Sequence, residues 1–538
     1  MLAEADRLLE SADAALGHRE LMDAALTAIV VASDPESPRA GDPALVRLAG
    51  DRVAELAALQ TAGGLFAGGD NLESPPDSAF TINAAVTAAL LLRRPGSRWP
   101  DDLGQRIESI VRAAAPALHS GGVHTPNHRW ELASALARAG ALLDEPHLLD
   151  RARTWLAEGV DVDEDGLYSE RSPNYAARVS NPSLTALGDL LDRPDLHEIV
   201  HRNLHAHLDL TADGWVETVH SRRQDQHAPY PLGPFLAQLR RAALHHGCGR
   251  CAAAALLAAT GPYVDAVEAR AAELLDPALD RPLPAGAPQQ PGRRLFRSSR
   301  LLRDAREKAD ITVYGGSDVP EAGRLGSGLA CNPTFLRVRC GAVAVESVRL
   351  SRDFFGLGPF RASDMEVDGD RIVLHETVEA AYYQPLPAAD RRADGRYELE
   401  HEGRFAAAMS FARRPQDRSA LTTRIELDLH DDGVDIAVTT DGPATAHALE
   451  LALSPGGALT GATALGDDRF ELPAGTAEYH RAGHVLSIGP GHGSGPHQPP
   501  VYRPGEAYTW TGGTDAIGGT RLYVTWRSPG TTRVSLRV

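Results

Sequence analysis

The stretch Leu274–Arg293, LLDPALDRPLPAGAPQQPGR, is dense in proline, glycine and glutamine, and the periodicity of the chain changes across it. Before it, apolar residues recur at three and four. After it, they alternate every two. Such a segment reads as a linker stiffened by its prolines, and the fold follows from its two flanks. The expectation is an α+β multidomain protein, with a helical domain over 1–278, the linker over 279–294 and a β domain over 295–538.

Upstream, MDAALTAIVVAS, AFTINAAVTAALLLRR, LGQRIESIVRAAAPALHS, ELASALARAGALL and CAAAALLAAT carry the helical period. Alanine-rich helices joined by short Gly, Pro and Asp loops suggest stacked hairpins. No strict repeat of fixed length is visible, which favours an (α/α) toroid over a regular solenoid. Downstream, ADITVYGG, ALTTRIELDLH, GVDIAVTTDG, RFAAAMSFARR and TRLYVTWRS alternate, with DDG, PGG and TGG as turns. Many antiparallel strands in succession make a β-sandwich.

Composition narrows the function. The chain has 538 residues, too many for one core, and 43% hydrophobic content is that of a globular protein. No apolar run approaches the roughly 20 residues of a membrane helix, and the amphipathic, acidic start lacks the order of a secretion signal. A cytoplasmic location is expected, and four cysteines argue against a disulfide scaffold. A net charge of -18 argues against nucleic acid as a general partner. An anionic sugar stays open if basic residues gather in a cleft. Nothing in the sequence sets the oligomeric state.

Two stretches carry chemistry. TPNHRWELASALARAG, Thr125–Gly140, puts Asn127 and His128 at the mouth of a helix. DGLYSERSPNY, Asp165–Tyr175, offers a carboxylate, a serine, a proline-set turn and a phenol at a loop-to-helix edge. These residue types suit β-elimination from a uronate. The C5 proton is acidic only when the neighbouring carboxylate is neutralised, which calls for a donor such as Asn127, helped by a nearby Arg. A base must take that proton and an acid must protonate the leaving O4, tasks open to Tyr and His. The plainer readings are an Asn127 that caps the helix, a surface His128, a packing Tyr175, and Glu170 and Asp165 bonding loop amides.

An NH pair ahead of an apolar helix, then DG-x-x-x-E-x-S-P-x-Y, within a helical domain followed by a β-sandwich, resembles the heparinase II/III-like polysaccharide lyases, a group that includes alginate lyases. The resemblance implies Tyr175 as general acid, also base in a syn elimination, and His128 as base or carboxylate contact. Many relatives carry a histidine motif at the start of a sandwich strand. Here the corresponding region, GSGLACNPTFLRV, has Asn332 in its place, which puts the usual second base and structural metal in doubt.

A third stretch, DGWVETVHSRRQDQHAPY, gathers His220, Arg222, Arg223 and His227, a cationic locus for a polyanion or a solvated loop paired with Asp213, Glu217 and Asp225. Trp215 stacks on a sugar or fills a helix gap. GGDNLESPPDSAF offers Asn71, Asp77 and Phe80 as a cleft lip, with Asp77 and Ser78 as caps in the plainer reading. HHGCGRC sets Cys248 and Cys251 at CxxC spacing behind His245 and His246, the one combination able to hold zinc. With no second CxxC, idle thiols and no cofactor are expected.

The function expected is therefore a lyase that cleaves a uronate-containing oligosaccharide, with Asn127, His128 and Tyr175 catalytic and Arg222, Arg223, His220, Glu170 and Trp215 binding substrate. The alternatives are a toroid glycoside hydrolase using paired carboxylates among Glu170, Asp165, Glu217 and Asp225, and a non-catalytic uronate-binding relative.

Overall fold

The computed structural model describes residues 1–10, 15–67, 72–95, 99–287, 290–492 and 519–538. The chain divides into two compact units, Met1–Val216 with Tyr230–Gln289, and Glu217–Pro229 with Gln290–Val538.

The first unit is an (α/α) toroid. Helix His18–Ser33 packs on Pro75–Leu92, that on Pro126–Leu143, and that on Asn181–Leu191, while Leu236–His246 packs on Ala266–Leu275, which returns to His18–Ser33. All but Ala266–Leu275 are backed by an outer helix, among them Pro43–Leu59, Pro194–Asp209 and Gly249–Thr260. Arg270 fastens the closure by donating to both oxygens of Asp34 at 2.7 and 3.0 Å. Proline opens many of these helices, where its fixed φ suits the first turn and its missing N–H costs nothing. Asp42 and Ser74 cap two of them, accepting from the Ala44 and Asp77 amides at 2.8 and 3.3 Å.

The inner helices have two unlike faces. Ile82, Ala85 and Ala89 on one helix, and Leu132, Leu136 and Leu143 on the next, are buried between layers. Asn83, Thr87, Glu131, Ser134 and Arg138, three and four residues apart, line the interior of the ring. They satisfy one another: Asn83 donates to Glu131 at 2.7 Å, Ser134 to Asn83 at 3.0 Å and Arg138 to Thr87 at 3.0 Å. A polar lining of this kind keeps the centre of the ring from collapsing into a core.

Among the described residues, the second unit is a sandwich of an eight-stranded and a nine-stranded sheet, antiparallel except where Arg469–Glu471 runs parallel to Arg521–Arg527. Its core alternates inward from both sheets: Val348, Leu350, Leu449, Leu451 and Val524 from one, Ile372, Leu374, Ile425, Leu427 and Ile436 from the other. The stretch RFAAAMSFARR, expected as a strand, holds only the two-residue bridge Ala406–Ala407 and a 3₁₀ turn at Phe411–Arg413. Its alternate face carries Phe405, Met409 and Phe411, but Phe405 and Met409 stay 47% and 37% exposed, so no core face holds a ladder there. Among the described residues no helix is long and apolar enough to cross a membrane.

Candidate active site

Helix Pro126–Leu143 has Thr125 as its N-cap, so Asn127 is not the cap but the second residue of the first turn. It is 1% exposed, and its Nδ2 donates to both carboxylate oxygens of Glu170, at 2.9 and 2.8 Å. That contact ties the helix mouth to the loop that ends at Tyr175. His128, half-buried, presents its ring edge to Phe80, with centroids 6.3 Å apart, and lies 4.7 Å from the ring of His124. Over the Phe80 ring, 4.0 Å from its centroid, sits the guanidinium of Arg19, which also pairs with the buried Asp77 carboxylate. Asp77 therefore anchors an arginine, and the cap of its helix is Ser74. Ser78 accepts from the Phe66 amide at 3.3 Å. Asn71 lies outside the described residues. Arg19, fifty residues and more from either motif, has no signal in the sequence beyond its charge.

The loop before Tyr175 is held from both sides. Asp163 collects the Asp165 and Leu167 amides at 3.0 and 2.9 Å, and Asp161 accepts from the Ser169 amide and from Trp130 Nε1. Asp161 and Asp163 thus hold loop amides, the role considered for Asp165 and Glu170. Gly166 has φ +89°, and a Cβ there would lie 3.0 Å from the Arg202 carbonyl oxygen. Beneath, the buried Asn181 amide accepts from the Tyr168 hydroxyl at 2.7 Å and donates to Asn203 and Gln238, both at 3.1 Å. Ser172 caps the turn Pro173–Tyr175 by accepting from the Tyr175 amide at 3.1 Å. A π-helical turn, Ala176–Ser180, follows before the next helix. Such a turn re-aims the side chains that flank it, and Tyr175 lines the toroid interior.

That interior is a cavity of ≈ 1280 Å³ lined by Phe80, Asn174, Tyr175 and the polar inner faces of the helices. Arg19, Arg138, Arg178 and Arg241 share it with Asp23, Glu131, Asp265 and Glu268. Confinement, then the charge of Asp265, pushes Asp23 up to about 6 and Glu268 up to about 8. Burial likewise raises Glu131 and lowers Arg138. Arg178, three residues after Tyr175, is pulled down by burial but held above its ordinary value by Tyr230 and Asp265. With Glu268 protonated at neutral pH, the cavity is more positive than four arginines against four acids suggest. Trp215 lies in this unit on the short strand Trp215–Val216, paired with Tyr230–Pro231.

His220, Arg222 and Arg223 lie in Glu217–Pro229, which belongs to the second unit. Arg222 forms a fork with Asp318, Nε and Nη2 each 2.8 Å from an oxygen, a partner the neighbouring acids of its own loop had obscured. His220 is fully buried, Arg223 is half-buried, and Glu217 pairs with the buried Arg337. Asn332 donates to the Gln226 carbonyl at 2.6 Å, and Gln226 accepts from the Cys331 amide at 2.9 Å. Asn332 thus fastens this segment. Cys248 and Cys251 open helix Gly249–Thr260, and Cys248 Sγ lies 3.2 Å from His205 Nε2.

No protein-family model matches the chain, and none of the curated proteins matches it in sequence. Solved structures do match in fold. The chondroitin AC lyase of Streptomyces coelicolor A3, solved with chondroitin sulphate, has a TM-score of 0.54 at 14% identity, over 96% of this chain and 74% of that one. A Paenibacillus xanthan lyase has a TM-score of 0.54 at 10% identity, over 98% of this chain and 54% of that one. A heparan sulfate lyase mutant from Pedobacter heparinus reaches 0.49 at 10% identity, over 93% and 73%. The fold is that of polysaccharide lyases.

Proposed function

We propose that the protein is a heparinase II/III-like lyase that cleaves a uronate-containing oligosaccharide by β-elimination. The observation that carries this reading is the Asn127–Glu170 contact, which joins the two motif stretches across 43 residues within a lyase fold, with Tyr175 on the cavity wall five residues further on. Glu170 fixes the plane of the Asn127 amide. Asn127 and His128, with Arg19 as the cation, meet the uronate carboxylate and favour the charge that develops on C5. The C5–H bond breaks to a base, the C4–O4 bond breaks, and the electron pair closes as a C4–C5 double bond. Tyr175 protonates O4. In a syn elimination Tyr175 enters as the phenolate, takes the C5 proton and returns it to O4; in an anti elimination neutral His128 takes the C5 proton.

The anionic ligand in the chondroitin AC lyase complex and the arginines of the cavity favour an anionic oligosaccharide as substrate. Arg19 and Arg178 line the cavity and, although paired with Asp77 and Asp265, keep 39% and 47% of their side chains exposed, so they offer the cationic contact. The test is ultraviolet absorbance of an unsaturated uronate on a panel of uronic-acid oligosaccharides, for wild type and Tyr175→Phe. Wild type is expected to raise the absorbance, and the variant to be slower by about 10²–10⁴-fold, the contribution of general acid–base catalysis. Reducing ends without the absorbance would overturn the lyase in favour of a hydrolase using Asp23 and Glu268. Binding without turnover would overturn it in favour of a binding protein.

A further inference from the structure

We infer that His201, His205, Cys248 and Cys251 form a structural zinc site in the first unit. His201 and His205 stand one turn apart on the outer helix Pro194–Asp209, their ring centroids 4.5 Å apart. Cys248 is the N-cap of helix Gly249–Thr260 and Cys251 lies in its first turn. The sequence separates the two pairs by 43 residues, and the packing of the two helices brings them together. One ligand atom from each of the four lies within 4.8 Å of the others.

The distances are those of a site that needs little adjustment. Around a tetrahedral zinc, with Zn–S of about 2.3 Å and Zn–N of about 2.0 Å, neighbouring ligand atoms are about 3.3–3.8 Å apart, so the set closes by at most about 1.5 Å. His205 Nε2 is already 3.2 Å from Cys248 Sγ. The spacing H-x₃-H with C-x₂-C matches the ligand spacing of structural zinc sites. His201 Nε2 is buried and has no hydrogen-bond partner among the described residues, which coordination would supply.

Charge and burial fit the same ion. Two thiolates neutralise Zn²⁺; Arg250, now 3.2 Å from His205 Nδ1 and 2.7 Å from Asp209, would turn wholly to Asp209 once Nε2 binds the metal and Nδ1 carries the proton. Cys251 is completely buried and the other three ligands are half-buried, leaving no open position for a substrate. The site would therefore pin one outer helix to another and take no part in turnover. A second trio, Glu198, His201 and His246, competes for His201, with His246 stacked on it at 4.1 Å. It lacks a thiolate, and His246 Nδ1 faces Glu198 at 3.5 Å. The soft ligands decide for the cysteine set.

The test is metal analysis of the full chain, purified under reducing conditions without added chelator, followed by cobalt replacement. The expected result is about one zinc per chain and, with Co²⁺, the intense visible bands of a tetrahedral ion together with thiolate charge transfer. Cys251→Ser and His205→Ala should lose both, and His246→Ala should keep them. The wild-type cobalt spectrum needs no variant to fold. A reduced, folded wild type that holds no zinc and shows no such bands would overturn the site. Metal kept in Cys251→Ser but lost in His246→Ala would move it to the trio. A chain two hydrogens lighter, oxidised at Cys248–Cys251 even in excess zinc, would make the pair a redox couple instead.

Discussion

Replacing Asn127 by alanine should damage stability as well as activity, because the side chain is both 1% exposed and bonded to a carboxylate that is itself 7% exposed. Two charge-assisted contacts of 2.9 and 2.8 Å are lost together. A hydrogen bond to a charged group is worth about 1.5–3 kcal/mol net, and the carboxylate left behind keeps its desolvation cost. For a unit of this size that is a fall in midpoint of about 3–6 °C. The measurement is a double-mutant cycle of Asn127→Ala and Glu170→Ala, with unfolding followed by helix circular dichroism. The coupling expected is about 1.5–3 kcal/mol, so the double variant should cost little more than the worse single. Losses that add to within about 0.5 kcal/mol would refute the reasoning. Asn127→Asp supplies a pH arm. It sets a second carboxylate about 3 Å from Glu170, where the two cannot both ionise. The shared proton raises the pair above the unfolded carboxylate range, so the penalty should be present at neutral pH and vanish as the pH falls through that range.

Gly166→Ala should cost about 1–3 kcal/mol from its left-handed φ and the Arg202 carbonyl, and should lower turnover through the Tyr175 loop; unchanged thermal stability would contradict this. Glu268, raised to about 8, is protonated in the fold and ionised in the unfolded chain between the ordinary Glu range and that value, so stability should decline as pH rises through this window. Glu268→Gln should flatten that decline, and identical stability profiles for the two proteins would remove the basis for it. Asn332→Ala takes a donor from the Gln226 carbonyl and an acceptor from the Thr334 amide. Tryptic cleavage after Arg222 or Arg223 should then speed up about tenfold, the effect of about 1.4 kcal/mol on local opening, and equal cleavage rates would count against that anchoring.

The fold was legible wherever one face of an element meets a core. Ile82, Ala85 and Ala89 gave the helical period, and Ile425, Leu427 and Leu429 the strand period, because burial imposes those spacings. RFAAAMSFARR had the alternation, but its Phe405 and Met409 meet no core. The candidate site was half legible. Asn127 and Tyr175 stood out by type and position. Arg19, Asp23 and Glu268 did not, since they sit on the polar inner faces of ordinary amphipathic helices and only the closed ring turns them toward one cavity. The thiols showed the same limit in reverse. His245 and His246 were adjacent in sequence, yet the next helix over supplied His205, since a helix terminus faces what packs on it and not what precedes it.

The fork between Arg222 and Asp318 spans 96 residues of chain, and the segment that carries Arg222 is made before either sheet exists. At about 5–20 residues per second, a ribosome leaves roughly 5–20 s between synthesis of the arginine and of its acceptor. Through that interval the ring can assemble most of its helices while Glu217–Pro229 waits as an unanchored strip bearing two arginines and a tyrosine-flanked tail. A chain cut at Gln289 would keep the strip in that state permanently, and the sheets expressed alone would lack it. Each half should express better once this thirteen-residue strip has been moved, by deletion from the first and by peptide addition or circular permutation to the second.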